Sequence, residues 1–160
     1  MAHLEKDKKE KNLFAFAIGS VGGIGYFPKA PGTFASAIAA LLYFLINPEV
    51  YALTIGIIAA FILGIVFSDQ VEKHSGKDPG FVVIDEFAGQ WITFLLLPES
   101  TVIIIISGFI LFRFFDILKP LGINRLQEFK SGWGIMLDDV LAGIYANIIL
   151  QVLIYYGVFR

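Results

Sequence analysis

Arg113–Ala146 reads RFFDILKPLGINRLQEFKSGWGIMLDDVLAGIYA, and it places charges of both signs between two strongly apolar runs. Arg113, Asp116 and Lys119 are spaced by three, so on a helix they lie along one side. Pro120 and Gly122 stop that helix. A polar linker follows, and Gly132-Trp133-Gly134 leads into Asp138-Asp139, from which an apolar helix runs almost to the C-terminus. Two adjacent carboxylates beside an apolar helix are costly unless a cation or hydrogen-bond donors meet them. That cost is the first mark of a site.

The composition gives the stretch its setting. The chain has 160 residues, of which 57% are hydrophobic and 16% charged. Soluble domains lie nearer 45–50% apolar and about 25% charged, so both deviations point to a membrane. A net charge of -2 argues against a nucleic-acid partner. Cysteine is absent, which excludes disulfides, thiolate metal sites and a cysteine nucleophile.

Outward from the opening stretch, five apolar segments stand out: Phe34–Ile46, Val50–Phe67, Phe87–Leu97, Thr101–Phe115 and Val140–Phe159. Val102–Ile106 is β-branched, but a lone strand cannot cross a bilayer and an apolar helix can. All five are expected to be helices. Thr33 or Ser36 is the expected cap of the first. The fold class that follows is all-α, a compact membrane-embedded bundle. A full crossing takes about 20 residues, and Phe34–Ile46 has 13 and Phe87–Leu97 has 11. Two or three full spans with shorter helices packed beside them are therefore expected. The domain reading is a charged cytoplasmic tail over residues 1–12 and a single catalytic domain over 13–160.

The polar connections fall into two groups. Asn47–Glu49 and Pro98–Ser100 are short and lack Lys and Arg, whereas the tail, Ser68–Glu86 and Arg113–Asp139 are long and charged. If each apolar segment crosses, eleven of the twelve Lys and Arg residues share a side with the long segments, and only Arg160 lies opposite. The positive-inside rule makes that side cytoplasmic. The glycine-rich stretch Gly19–Thr33, GSVGGIGYFPKAPGT, admits two readings. It is a connector, or a loop whose backbone N–H groups face a phosphate; it is not a Walker loop.

On this topology Asp69, Glu72, Asp78, Asp85, Glu86, Asp116, Asp138 and Asp139 meet at one face of the membrane, with His74, Lys77, Arg113 and Lys119. Carboxylates that hold a hard divalent cation, with Mg²⁺ the default, suit a phosphate substrate. Arg and Lys would hold its oxygens. Each fragment has a plainer reading. Asp69, Glu72 and Lys73 form a solvated helix face. Asp85-Glu86 and Asp138-Asp139 favour helix N-termini, and Arg113 and Lys119 anchor at the interface. What marks a site is that all of them fall together.

APGTFAS (30–36), DPGFVVIDEFAGQ (78–90), RFFDILKP (113–120) and GIMLDDVLAGIYA (134–146) resemble the phosphatidylglycerophosphatase A family. The resemblance covers most of residues 19–150. It implies a bacterial inner-membrane enzyme that uses Mg²⁺ to remove the terminal phosphate of phosphatidylglycerophosphate, leaving phosphatidylglycerol. Asp85, Glu86, Asp138 and Asp139 are the expected metal ligands. Lys77, Arg113 and Lys119 are expected to bind the substrate phosphate. Asp69, Asp116 and Asp139 are the catalytic candidates, with Glu72, His74 and Asp78 behind them. Many relatives carry a second proline after FDxxKP, where this chain has Leu121-Gly122-Ile123, a change that bears on lipid contacts. Direct attack by water is the expected mechanism, because no DxDx[TV] motif is present. The rival reading is a small transporter that uses the acidic cluster as an ion path.

Overall fold

The computed structural model describes residues 12–129 and 132–159. The tail expected over residues 1–12 therefore lies outside the described residues, apart from Asn12. Among the described residues the secondary structure is helical, with no strand. The helices are α1 (Leu13–Gly19), α2 (Pro31–Ile46), α3 (Val50–Ser75), α4 (Ile84–Thr93), α5 (Val102–Leu118), α6 (Ile123–Leu126) and α7 (Gly132–Tyr155), with a 3₁₀ turn at Ile24–Tyr26. The five apolar segments correspond to α2, α3, α4, α5 and α7, and the β-branched run is the first turn and a half of α5.

The short helix α4 is the centre of the bundle. It packs against α7, α2, α3 and α5, and eight of its residues are buried: Ile84, Asp85, Phe87, Ala88, Gly89, Gln90, Ile92 and Thr93. Its ten residues rise about 15 Å, half the hydrocarbon thickness of a bilayer. Among the described residues two helices are long and apolar enough to cross a membrane, α3 with 26 residues and α7 with 24. The outer faces are apolar: Ile55 is 65% exposed, Ile58 52% and Ile62 54% on α3, and Ile106 50% and Ile110 59% on α5. Water-soluble monomers rarely show apolar bands of that extent.

Close contact between α4 and α7 depends on two glycines. A Cβ on Gly89 would meet Asp139 O at 2.7 Å and Phe112 Cε2 at 2.6 Å, and one on Gly143 would overlap Gly89 O. Each glycine lies one helical turn after a carboxylate, Asp85 or Asp139. The same contact therefore brings those carboxylates level with each other. Gly32, in the first turn of α2, leaves room for Glu86 in the same way, since a Cβ there would overlap Glu86 Oε1.

Helix starts differ from expectation at two places. α2 begins at Pro31 after Ala30, which has φ 50 and provides no side-chain cap. Neither Thr33 nor Ser36 caps it; the Ser36 hydroxyl donates to Gly32 O at 2.8 Å. α7 begins at Gly132 and not at the aspartates. Asp138-Asp139 thus lie almost two turns inside the helix and are not first-turn acids complementing its dipole. The glycines at 132 and 134 serve close packing instead, against Ile65 O and Phe129 O.

The helices run between two unlike ends. At one end the Asn47–Glu49 and Pro98–Ser100 turns meet, and Ser100 Oγ donates to Asn47 Oδ1 at 2.9 Å. The start of α4, the end of α5 and the first half of α7 assemble the charged residues at the other.

Candidate active site

At the charged end, α5 stops at Leu118 because Lys119 takes a left-handed conformation, φ 45. A non-glycine residue there stores strain, and Leu121 repeats it at φ 57. The turn sends the Lys119 side chain across to α7, where Nζ pairs with Asp138 Oδ2 and lies 3.8 Å from Asp139 Oδ1. Asp116 stands between two cations: Arg113 Nη1 is 2.5 Å from its Oδ2, and Lys119 Nζ 3.5 Å from its Oδ1. Burial works against the charge of Lys119, but Asp139, Asp138 and Asp116 outweigh it and hold its pKa above the ordinary range.

Asp85, Glu86 and Asp139 form the second half of the site. One carboxylate oxygen from each lies within 4.8 Å of the others, all three groups being enclosed by the bundle. Four buried oxygens here have no hydrogen-bond partner among the described residues: Asp85 Oδ1, Glu86 Oε2, Asp138 Oδ1 and Asp139 Oδ2. A buried carboxylate oxygen without a partner costs about 1–3 kcal/mol or more, so the enclosure suits a ligand that brings positive charge or hydrogen-bond donors. Oxygen donors at this spacing fit a hard divalent cation. They surround a cavity of about 150 Å³ lined by Asp78, Asp85, Glu86, Asp116, Lys119, Asp138 and Asp139.

The expected site residues separate into those the fold gathers and those it does not. Asp85, Glu86, Asp116, Lys119, Asp138, Asp139 and, at the rim, Asp78 are gathered. Desolvation by the surrounding protein, reinforced by Asp138, pushes the Asp78 carboxyl above its usual value. Arg113 reaches the group through Asp116, and Ser36 Oγ is 3.4 Å from its Nη1. Lys77 and Glu72 line a neighbouring chamber. Asp69 and His74 are not brought in. Asp69 pairs with Lys73 at 2.5 Å on α3, as the solvated-face reading expects, and His74 Nδ1 lies 3.0 Å from Gln70 O. A catalytic Asp69 has no geometric support here.

Three contributors are not apparent from sequence. Gln127 Nε2 donates to Asp138 Oδ2 at 2.9 Å, and Ser36 meets Arg113. Gln90, fully buried on α4, has neither amide atom partnered. Its position one turn after Glu86 is the available signal. Within the glycine-rich stretch the N–H groups of Gly22, Gly23, Gly25, Tyr26 and Phe27 all donate to nearby backbone carbonyls.

The family model described as "Phosphatidylglycerophosphatase A" matches residues 17–154. The chain belongs to this family. Members with that name from Haemophilus influenzae and Escherichia coli are 36% and 35% identical to it. The first alignment covers 91% of this chain and 89% of the relative, the second 87% and 80%. A protein from Bacteroides thetaiotaomicron, described provisionally as a phosphatidylinositol-3-phosphatase, is 39% identical over 90% of this chain and 96% of its own length. No solved structure matches. As a member of the phosphatidylglycerophosphatase A family the chain is a phosphatase, and its gathered carboxylates and cations are what phosphate chemistry requires.

Proposed function

We propose that the protein removes the terminal phosphate of phosphatidylglycerophosphate to give phosphatidylglycerol, using Mg²⁺. The observation that carries the reading is the set of four buried, unpartnered carboxylate oxygens facing Lys119 across one small cavity. The names of the Haemophilus and Escherichia relatives support the substrate. Asp85, Glu86 and Asp139 would hold the cation, with Asp138 Oδ1 within the same enclosure. When bound, the ion would supply Lewis-acid polarisation of the phosphoryl group and acidify water.

The residues divide the remaining work. Lys119 binds the phosphate oxygens, as does Arg113 once substrate draws it from Asp116. Asp116 keeps both cations aimed in the empty enzyme. Asp139 Oδ2 takes the proton of the attacking water. The water oxygen bonds to phosphorus as the phosphorus–glycerol oxygen bond breaks, and the proton passes to the departing glycerol oxygen. Lipid stays in the bilayer while its head enters the charged end. The protein is read as a multi-pass protein of the bacterial inner membrane, with α3 and α7 crossing fully and the charged end on the cytoplasmic side.

The test is phosphate release from phosphatidylglycerophosphate by purified protein in detergent, with Mg²⁺, with EDTA, and for Asp139→Asn. Release that needs Mg²⁺ and falls at least 1,000-fold in the variant, as expected when a group that must lose and gain a proton is removed, supports the reading. Folded protein that releases no phosphate with any divalent cation would sink it. Phosphatidylinositol 3-phosphate belongs in the same assay because of the Bacteroides relative, and faster release from that lipid would change the head group assigned.

A further inference from the structure

The 150 Å³ cavity among the carboxylates is too small for a whole head group. Sites that enclose drug-sized ligands run from about 300 to 1,000 Å³. A second chamber of about 310 Å³ adjoins it, lined by Glu72, Lys77, Gln127 and Phe129. Asp78 and Ile135 line both chambers, so the two adjoin at those residues. The inner chamber ends in unpartnered carboxylates. The outer chamber offers a different chemistry, in which a lysine stands among neutral and acidic hydrogen-bonding groups and one aromatic ring.

We infer that the outer chamber binds the part of the head group between the scissile phosphate and the acyl chains, with Lys77 meeting the phosphodiester and Glu72 the intervening hydroxyl. This rests on the substrate reading above. In that lipid a glycerol separates the monoester from a singly charged diester, so the second anion must lie a few bonds from the first. Lys77 is exposed, makes no salt bridge among the described residues, and is the one cation among the described residues that line the outer chamber. Lys119 holds that place in the inner one. Two cations in adjoining chambers match two phosphates in one substrate. Glu72 is held in place because its Oε1 accepts from Asp78 N at 3.1 Å, leaving its second oxygen for a hydroxyl. Sequence alone puts Lys77 on the substrate's phosphate without saying which one; its place in the fold selects the diester.

The experiment is steady-state kinetics of the full chain in mixed micelles, comparing wild type, Lys77→Ala, Lys77→Arg and Glu72→Gln on phosphatidylglycerophosphate. Lys77→Ala is expected to raise KM at least tenfold and leave kcat within threefold, because the diester is bound equally before and during reaction. Lys77→Arg restores most of the affinity. Glu72→Gln raises KM by a smaller factor, about threefold. Phosphatidic acid, whose monoester joins diacylglycerol directly, loses less kcat/KM in Lys77→Ala than phosphatidylglycerophosphate does. An unchanged KM in Lys77→Ala, or equal losses on both lipids, overturns the assignment. A wild type inactive on phosphatidylglycerophosphate overturns the substrate reading and this inference with it. An active wild type with an indifferent Lys77→Ala overturns this inference alone.

Discussion

The two ends of the bundle treat buried polar groups in opposite ways. At the end where the short turns meet, the polar side chains pair within the protein. Asn147 Nδ2 donates to Thr93 O at 2.9 Å and Leu95 O at 2.8 Å, and Gln151 Nε2 donates to Asn147 Oδ1 at 2.9 Å. These groups meet the carbonyls at the C-terminal end of α4 and in the turn after it, which would otherwise face an apolar surround. At the charged end, four carboxylate oxygens are left without partners. One end thus uses polarity to complete the fold, and the other keeps it available for a ligand. α7 contributes to both, with Asp138-Asp139 in its first half and Asn147 and Gln151 in its second.

The sharpest way to break this contrast is to remove charge at the open end. Asp85→Asn is expected to lower phosphate release at least 100-fold while leaving the thermal midpoint in detergent equal or higher. The negative charge it removes is buried beside Glu86 and Asp139, and relieving such crowding stabilises the empty protein. Differential scanning fluorimetry beside the phosphate assay reads both. Mg²⁺ should raise the midpoint of wild type and not of Asp85→Asn, since a ligand at 100 times its Kd stabilises by about 2.7 kcal/mol. A variant that loses activity and stability together would make Asp85 a structural residue, and the ends would no longer differ.

Gly143→Ala tests the contact that levels Asp85 with Asp139. Its Cβ would overlap Gly89 O and meet Ile92 Cβ at 3.1 Å. Backbone cannot move aside as a side chain does, so a loss of about 1–3 kcal/mol is expected, with activity falling about tenfold or more in the fraction that stays folded. Gly143→Ala at full activity would mean that the carboxylates find their positions without this contact.

Much of this contrast is legible in the amino-acid sequence. Hydropathy marks α2, α3, α4, α5 and α7, and the charge of the connections sorts the two ends. The acidic pairs at 85–86 and 138–139 are visible as costs needing compensation. Spacing, however, shows which residues share a helix face and not what that face meets. Asp69 has the helical spacing of a site residue, yet it pairs with Lys73 on α3 and is not among the residues lining the cavity. From sequence, the last helix is expected to start at Asp138-Asp139, because glycine at 132 and 134 disfavours a helix locally. Here tertiary contact decides, since both sit in a helix whose close approach to Ile65 O and Phe129 O only glycine permits. Ser36 and Gln127 give no signal for the same reason, because their partners, Arg113 and Asp138, are 77 and 11 residues away.

Smaller effects belong to the closed end. Asn147→Ala removes the donor to Thr93 O, one of two donors to Leu95 O, and the acceptor for Gln151 Nε2. In an apolar surround each lost side-chain bond costs on average about 0.6 kcal/mol, so about 1–2 kcal/mol of stability should go, with kcat within twofold of wild type. Ser100→Ala removes one exposed bond to Asn47 Oδ1, worth about 0.5 kcal/mol or less, since water replaces it. The pair separates two accounts of the closed end. If its polar groups serve only to finish helix ends, the losses rank by burial, Asn147 well above Ser100, and neither touches the reaction. If Ser100→Ala proves the costlier, the joint between the two turns, and not the capping of α4, holds that end together. Chemical unfolding of both variants in the same detergent distinguishes the two, because each predicts the opposite order of midpoints.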